Sequence, residues 1–283
     1  MSKVSDLLRW GQAQLAGSEE AAGEAQSLLA HVLNKDRTWL FTWSDQEVNL
    51  ENENRYRELI TQRASGRPIA HLTGSRAFWT LQLLVDESTL IPRPETEHLV
   101  EKALELGDPA QPIRVLDLGT GSGAIALALA SERPRWEITA CDRSENALSM
   151  ARQNARKHDL GNVDFVRSNW FSSIDGRFDL VISNPPYIAE QDAHLTQGDL
   201  RFEPRSALAA GKDGLDDIRL IVTQARDFLN PGGWLLFEHG YDQGPAAVTL
   251  LQEAGYVDCF TNKDLASNDR LSGGQWPLDL RGN

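Results

Sequence analysis

The chain has 283 residues, 41% apolar and 24% charged, which fits one large or two ordinary folded domains, each with a real core. Residues 1–88 carry 9 basic and 12 acidic side chains and residues 89–283 carry 19 and 29, a net −13 with no basic half to grip phosphate backbones. No run approaches the ~20 apolar residues of a membrane span, and MSKVSDLLRWGQAQL has no signal-peptide core, so with only Cys141 and Cys259 a reducing cytoplasm is expected.

Residues 1–65 show helical spacing and little else. Leu7, Leu8 and Leu15 line one side of a first segment, and Leu28, Leu29, Val32 and Leu33 line a second. Leu50, Tyr56, Leu59 and Ile60 belong to further segments, so a small helical bundle is predicted. Ile69 to Val85, aromatic and β-branched with a break at Gly74, reads as a strand or hairpin linker within residues 66–90. Pro92 and Pro94, then Glu95 and Glu97, predict a helix start, since carboxylates favour the positive end of the helix dipole.

From residue 112 strands alternate with helices. Strands are predicted at Ile113–Leu118, Glu137–Cys141, Val163–Val166, Phe178–Ser183, Trp234–Phe237 and Tyr256–Phe260. Helices are predicted at Ala124–Ala130, Ser144–His158, Leu215–Leu229 and Ala246–Glu253, with Asn230-Pro231-Gly232-Gly233 as a breaker. That alternation implies right-handed βαβ units in a doubly wound, mostly parallel α/β domain over residues 91–283.

The first strand runs into Asp117-Leu118-Gly119-Thr120-Gly121-Ser122-Gly123 and then a helix. Glycines there permit a tight turn and close approach of a ligand, and the helix N-terminus behind them offers N–H groups. Nineteen residues after Gly123, at the end of the next strand, Asp142 occupies the place of a ribose-binding acid. The turn matches a dinucleotide fingerprint as well as the glycine-rich motif of S-adenosylmethionine-dependent methyltransferases.

The fourth strand ends in Asn184-Pro185-Pro186-Tyr187. Two prolines force an extended turn away from the sheet and carry no N–H, which frees carbonyls for a ligand. The Asn184 oxygen adds an acceptor and Tyr187 a planar face. Together they suit a flat group bearing an NH₂, and so favour methyl transfer over hydride transfer.

Four stretches resemble the glutamine N(5)-methyltransferases of peptide-chain release factors (the PrmC/HemK family). They are Ile91-Pro-Arg-Pro-Glu-Thr-Glu97, Asp117 to Gly123, Ser183-Asn-Pro-Pro-Tyr-Ile188 and Arg201-Phe-Glu-Pro204, and the resemblance covers essentially the whole chain. It implies a Rossmann-like class I methyltransferase with a seven-stranded sheet behind an N-terminal helical domain that recognises the substrate. It implies S-adenosylmethionine at Gly119, Thr120, Gly121, Ser122, Gly123, Asp142, Trp170 and Asn184, with Asp142 on the ribose and Trp170 against the adenine. Asn184, Pro185, Pro186 and Tyr187 would hold the substrate glutamine, with Asn184, Pro185 and Tyr187 as the catalytic set. Where many relatives carry an acid before the tryptophan, this chain has Asn169, whose amide oxygen still accepts a hydrogen bond.

The implied activity methylates the Gly-Gly-Gln glutamine of class 1 release factors and so modulates translation termination. The competing readings are an adenine or guanine amino-methyltransferase of nucleic acid, which needs a flipped base and a basic groove, and a non-enzymatic adaptor. The expected partners are release factors, with no nucleic acid or membrane, and the protein is expected to act as a monomer. His31, His71, His98, His158, His194 and His239 show no ligand spacing, so no metal is expected. His239 is expected to be structural, and Cys141 to pack as a small apolar group. Trp10, Trp39, Trp43 and Trp79 are expected in the core or on a partner surface. Gly273-Gly274-Gln275 mimics the substrate motif and reads as a hairpin turn.

Overall fold

A computed structural model describes residues 2–278, and the chain divides into two compact units at Ser75/Arg76. The first unit holds α1 (Val4–Gln14), α2 (Ala21–Leu33), α3 (Arg37–Thr42), α4 (Leu50–Ala64) and α5 (Ile69–Thr73). Asp36 caps α3 by accepting the Trp39 N–H at 2.7 Å, and Asn49 caps α4 through the Asn52 N–H at 2.8 Å. Leu7, Leu28, Leu29, Leu40, Tyr56 and Ile60 form its core. Gly11 is required there, because a Cβ would come within 2.0 Å of the Tyr56 hydroxyl. The start of the predicted strand at Ile69–Val85 is instead helical: α5 ends at Gly74, whose φ of +68° stops it. Packing of Ile69 and Leu72 against the core of the first unit outweighs the β-branched composition.

The second unit opens, from Arg76, within the hairpin of β1 (Ser75–Phe78) and β2 (Leu81–Leu84), followed by α6 (Glu97–Leu106). The main sheet contains β3 (Arg114–Leu118), β4 (Glu137–Asp142), β5 (Val163–Arg167), β6 (Phe178–Ser183), β7 (Leu229–Glu238), β8 (Val257–Lys263) and β9 (Asp269–Gln275). Its order is β5-β4-β3-β6-β7-β9-β8, parallel except for β9, which runs antiparallel to both neighbours. The helices are α7 (Ala124–Glu132), α8 (Glu145–Lys157), α9 (Asp216–Phe228) and α10 (Gly244–Glu253). Both sheet faces are buried: Val115, Leu180 and Ile182 pack in one cluster with Leu127 and Leu129, and Leu116 and Val181 pack in the other with Ile221 and Val222. That explains why these strands read as continuous apolar runs. The order reverses at β3, beside β6, so the carboxyl ends of these strands form the crevice that such sheets offer to ligands.

Two expectations are corrected here. Gly273-Gly274-Gln275 is not a turn but the end of β9, the strand the sequence did not reveal. A Cβ on Gly273 would sit 2.6 Å from Leu236 Cδ2, and one on Gly274 would sit 2.9 Å from Tyr256 Cβ, so these glycines admit close packing. The hairpin turn lies earlier, where Asp264 Oδ1 accepts the Asn268 N–H at 2.9 Å. The Asn230–Gly233 breaker also lies within β7, absorbed by a register shift between Phe178 and Leu180.

Candidate active site

A cavity of about 190 Å³ opens at the carboxyl end of the sheet. It is lined by Gly119, Thr120, Gly121, Ser122, Asp142, Trp170, Asn184 and Pro186 among the predicted site residues. Gly123, Pro185 and Tyr187 do not line it; they hold the two loops that do.

The glycine turn is tied down from below. Gly119 and Thr120 both donate their N–H to the Cys141 carbonyl at 2.9 Å. Gly123 takes φ +88° as the N-cap of α7, and a Cβ there would strike Leu127 Cδ1 at 2.9 Å. Asp117 is fully buried under the turn, where its Oδ2 accepts the Thr120 hydroxyl at 2.6 Å and the Ala126 N–H at 3.3 Å. Burial pushes its carboxyl up to about 7, against the pull of those two donors. Cys141, beneath the turn, is buried and its thiol is pushed up to about 12, so it stays a thiol.

Asp142 ends β4 with its carboxylate facing the turn. Oδ2 accepts the Gly121 N–H at 3.0 Å and Oδ1 accepts the Ser144 N–H at 2.8 Å, which fixes the group while leaving lone pairs for a ligand. Trp170 takes φ +52°, and its Nε1 donates to Asp217 Oδ1 at 3.2 Å. Asp217, in the first turn of α9, also lines the cavity, so a carboxylate stands beside the tryptophan although position 169 is an amide.

Asn184 follows β6 directly. Its Nδ2 donates to the Thr96 hydroxyl oxygen at 3.1 Å. Thr96 donates in turn to Glu238 Oε2 at 2.7 Å, and Tyr187 donates its phenol to Glu238 Oε1 at 3.0 Å. Burial beside Glu238 pushes the Tyr187 phenol up, so it remains a neutral donor. Gln243 Nε2 holds the Tyr187 carbonyl at 3.0 Å. Further support comes from Glu203, which accepts the Ile91 N–H at 2.9 Å and pairs with Arg93, while Pro92 and Pro204 both line the cavity.

In the sequence Thr96 and Glu203 stand out only as parts of motifs, and Glu238 is overshadowed by the neighbouring His239. His239 is buried within bonding distance of the Ser272 hydroxyl and the Gly240 carbonyl, at 2.8 and 2.9 Å, which is a structural placement. The strand-end position of Glu238, on the ligand side, was the available signal.

The N-terminal unit matches the family model of the PrmC N-terminal domain over residues 6–74, and residues 96–202 match that of the methyltransferase small domain. A release factor glutamine methyltransferase from Shewanella oneidensis is 47% identical over 277 residues, 97% of this chain and 96% of its own length. The one from Pseudomonas aeruginosa is 50% identical, covering 98% and 99%. The chain belongs to the release factor glutamine methyltransferase family. A methyltransferase from Pyrococcus furiosus shares the fold at 19% identity, with a TM-score of 0.54 over 80% of this chain and 99% of its own. Membership in this family answers the choice left by the glycine turn, since these enzymes transfer methyl groups.

Proposed function

We propose that this protein methylates the side-chain amide nitrogen of the glutamine in the Gly-Gly-Gln motif of class 1 peptide chain release factors, using S-adenosylmethionine. The observation that carries this reading is Asn184, whose NH₂ is occupied by Thr96 and whose Oδ1 has no partner among the described residues, at the wall of the cavity. An acceptor so placed suits a group that brings N–H bonds, and the relatives are named for glutamine methylation.

The residues fit the cofactor chemically. Asp142 offers carboxylate lone pairs to vicinal hydroxyls, Trp170 offers a ring to a flat base, and Gly121 has nothing within 4 Å of the place a Cβ would take. When bound, S-adenosylmethionine supplies an electrophilic methyl on a sulfonium.

An amide nitrogen is a weak nucleophile, because its lone pair is delocalised into the carbonyl. We assign Asn184 Oδ1, at the cavity wall, to one of its two N–H bonds, and the Pro185 carbonyl, next along the same loop although off the cavity lining, to the other. Accepting both makes the nitrogen more electron-rich and aims it, and positioning of this kind is worth up to ~7–11 kcal/mol. As the N–CH₃ bond forms and the S–CH₃ bond breaks, positive charge develops on nitrogen and the same bonds strengthen, favouring the transition state over the ground state. One of the two N–H protons is then lost to water. Pro186 is buried and keeps the turn stiff, and Tyr187, behind the cavity lining, braces the turn through its bond to Glu238.

No helix among the described residues is long and apolar enough to cross a membrane. We place the activity in the cytoplasm, on a monomer, with no metal required. The test is methyl transfer to an intact release factor, to the same factor with the motif glutamine replaced by alanine, and to duplex DNA and rRNA. Incorporation only into the first supports the reading. Incorporation into nucleic acid instead overturns it.

A further inference from the structure

Asn184, Thr96 and Glu238 lie on three separate segments and meet in one chain of hydrogen bonds. Thr96 and Glu238 are 4% and 2% exposed, so neither exchanges these bonds freely with water. Burial raises the Glu238 carboxyl above its ordinary range, while the hydrogens of Thr96 and Tyr187 and the charge of Arg270 favour the ionised form, which only accepts; a hydroxyl has one hydrogen to give. Glu238 already takes the Tyr187 hydrogen at Oε1 and takes the Thr96 hydrogen at Oε2. Thr96 is then left with lone pairs alone toward Asn184, and only the NH₂ edge of the amide can satisfy them. Turning the amide over would set its oxygen against the Thr96 oxygen, with no hydrogen between two acceptors. That arrangement loses one bond and adds a repulsion in a low-dielectric site.

We propose that Thr96 and Glu238 are positioning residues: Glu238 directs the Thr96 hydroxyl, and Thr96 in turn presents the oxygen of Asn184, not its NH₂, to the substrate. This deepens the reading of Asn184 as the acceptor for the glutamine amide and rests on it. It also explains a choice of residue. An asparagine offers a donor and an acceptor of nearly the same shape, and a site built to grip an NH₂ group needs something behind it that tells them apart. The carboxylate that does so also anchors the Tyr187 phenol, so the Asn184 and Tyr187 ends of the same loop are held from a single residue.

The test is a double-mutant cycle in the full-length protein on an intact release factor, read by single-turnover methyl transfer and by calorimetry with S-adenosylmethionine. Thr96→Val keeps shape and removes the hydroxyl; we expect roughly a ten- to hundredfold fall in kcat, with cofactor affinity within about threefold. Thr96→Ser restores the hydroxyl and should recover kcat to within about threefold. In an Asn184→Ala background, Thr96→Val should cost nothing further, because nothing remains to be oriented. A structural role would instead give additive losses, and additivity overturns the proposal. Should Thr96→Val fold poorly by circular dichroism, Thr96→Ala, which leaves room for a water against Glu238, takes its place in the same cycle. If the wild type methylates no glutamine, the functional reading and the relay fall together. If the wild type is active and removing the Thr96 hydroxyl leaves kcat unchanged, the relay alone falls.

Discussion

Glu203 accepts the backbone N–H of Ile91 at 2.9 Å across 112 positions of sequence. The same carboxylate, with its side chain fully buried, pairs with Arg93. Two motifs far apart in the chain are thereby joined into one wall of the cavity, Pro92 from one and Pro204 from the other. Glu203→Ala should cost about 2–3 kcal/mol in urea denaturation, because it strands the Ile91 N–H and the Arg93 charge. Glu203→Gln, which still accepts from Ile91, should cost less. Equal losses for the two variants would assign the whole effect to the Arg93 pair.

Asp142→Ala should weaken S-adenosylmethionine binding at least ~10-fold in calorimetry, since a hydrogen bond to a charged group is worth ~1.5–3 kcal/mol. Asp142→Asn has the same outline but turns an NH₂ toward either Gly121 or Ser144, both donors, and should weaken binding as well. An unchanged dissociation constant in both would remove Asp142 from the cofactor site.

Asn184→Ala should leave the protein folded, with S-adenosylmethionine affinity within a few-fold, while methyl transfer falls by orders of magnitude. The reason is that its amide meets the acceptor nitrogen where charge develops. Turnover near wild type would eliminate the acceptor role.

Asp117 gives stability a pH dependence. Its buried carboxyl titrates at about 7 against an ordinary 3.8, so between these values the unfolded chain has lost a proton that the folded chain keeps. The contribution is fully present below about pH 4 and is lost as pH rises through about 7, a change of roughly 4 kcal/mol at most. Asp117→Asn lacks this titration. The stability of wild type relative to Asp117→Asn should therefore decline from pH 4 to 7 and level off above. A difference independent of pH would mean that Asp117 is ionised in the fold throughout.

Recognition of the whole partner is the role proposed for the N-terminal unit, because every glutamine presents the same amide to Asn184. Phe41 and Trp43 are 64% and 54% exposed on and just after α3, two large apolar groups available to a partner. Phe41→Ser with Trp43→Ser should lower kcat/KM on an intact release factor at least several-fold, while a short Gly-Gly-Gln peptide, lacking the partner's other surfaces, is affected far less. Equal loss on both substrates would make this unit a support for the fold alone.

The sequence by itself determined the alternation of strands and helices, the glycine turn and the Asn-Pro-Pro-Tyr element. These depend on local chemistry: apolar runs for strands buried on both faces, glycines at φ +72°, +56° and +88°, and prolines that cannot join a ladder. Only the tertiary structure decided what Gly273-Gly274 does, because two glycines suit a tight turn and close strand packing equally well, and Leu236 and Tyr256, which require the second, lie far away in sequence. The same holds for α5, whose Ile69 and Leu72 pack against the core of the first unit, and above all for the direction of Asn184. An amide in a sequence has no orientation. It acquires one when Thr96 and Glu238, brought from positions 88 residues upstream and 54 downstream, leave it only one way to pair.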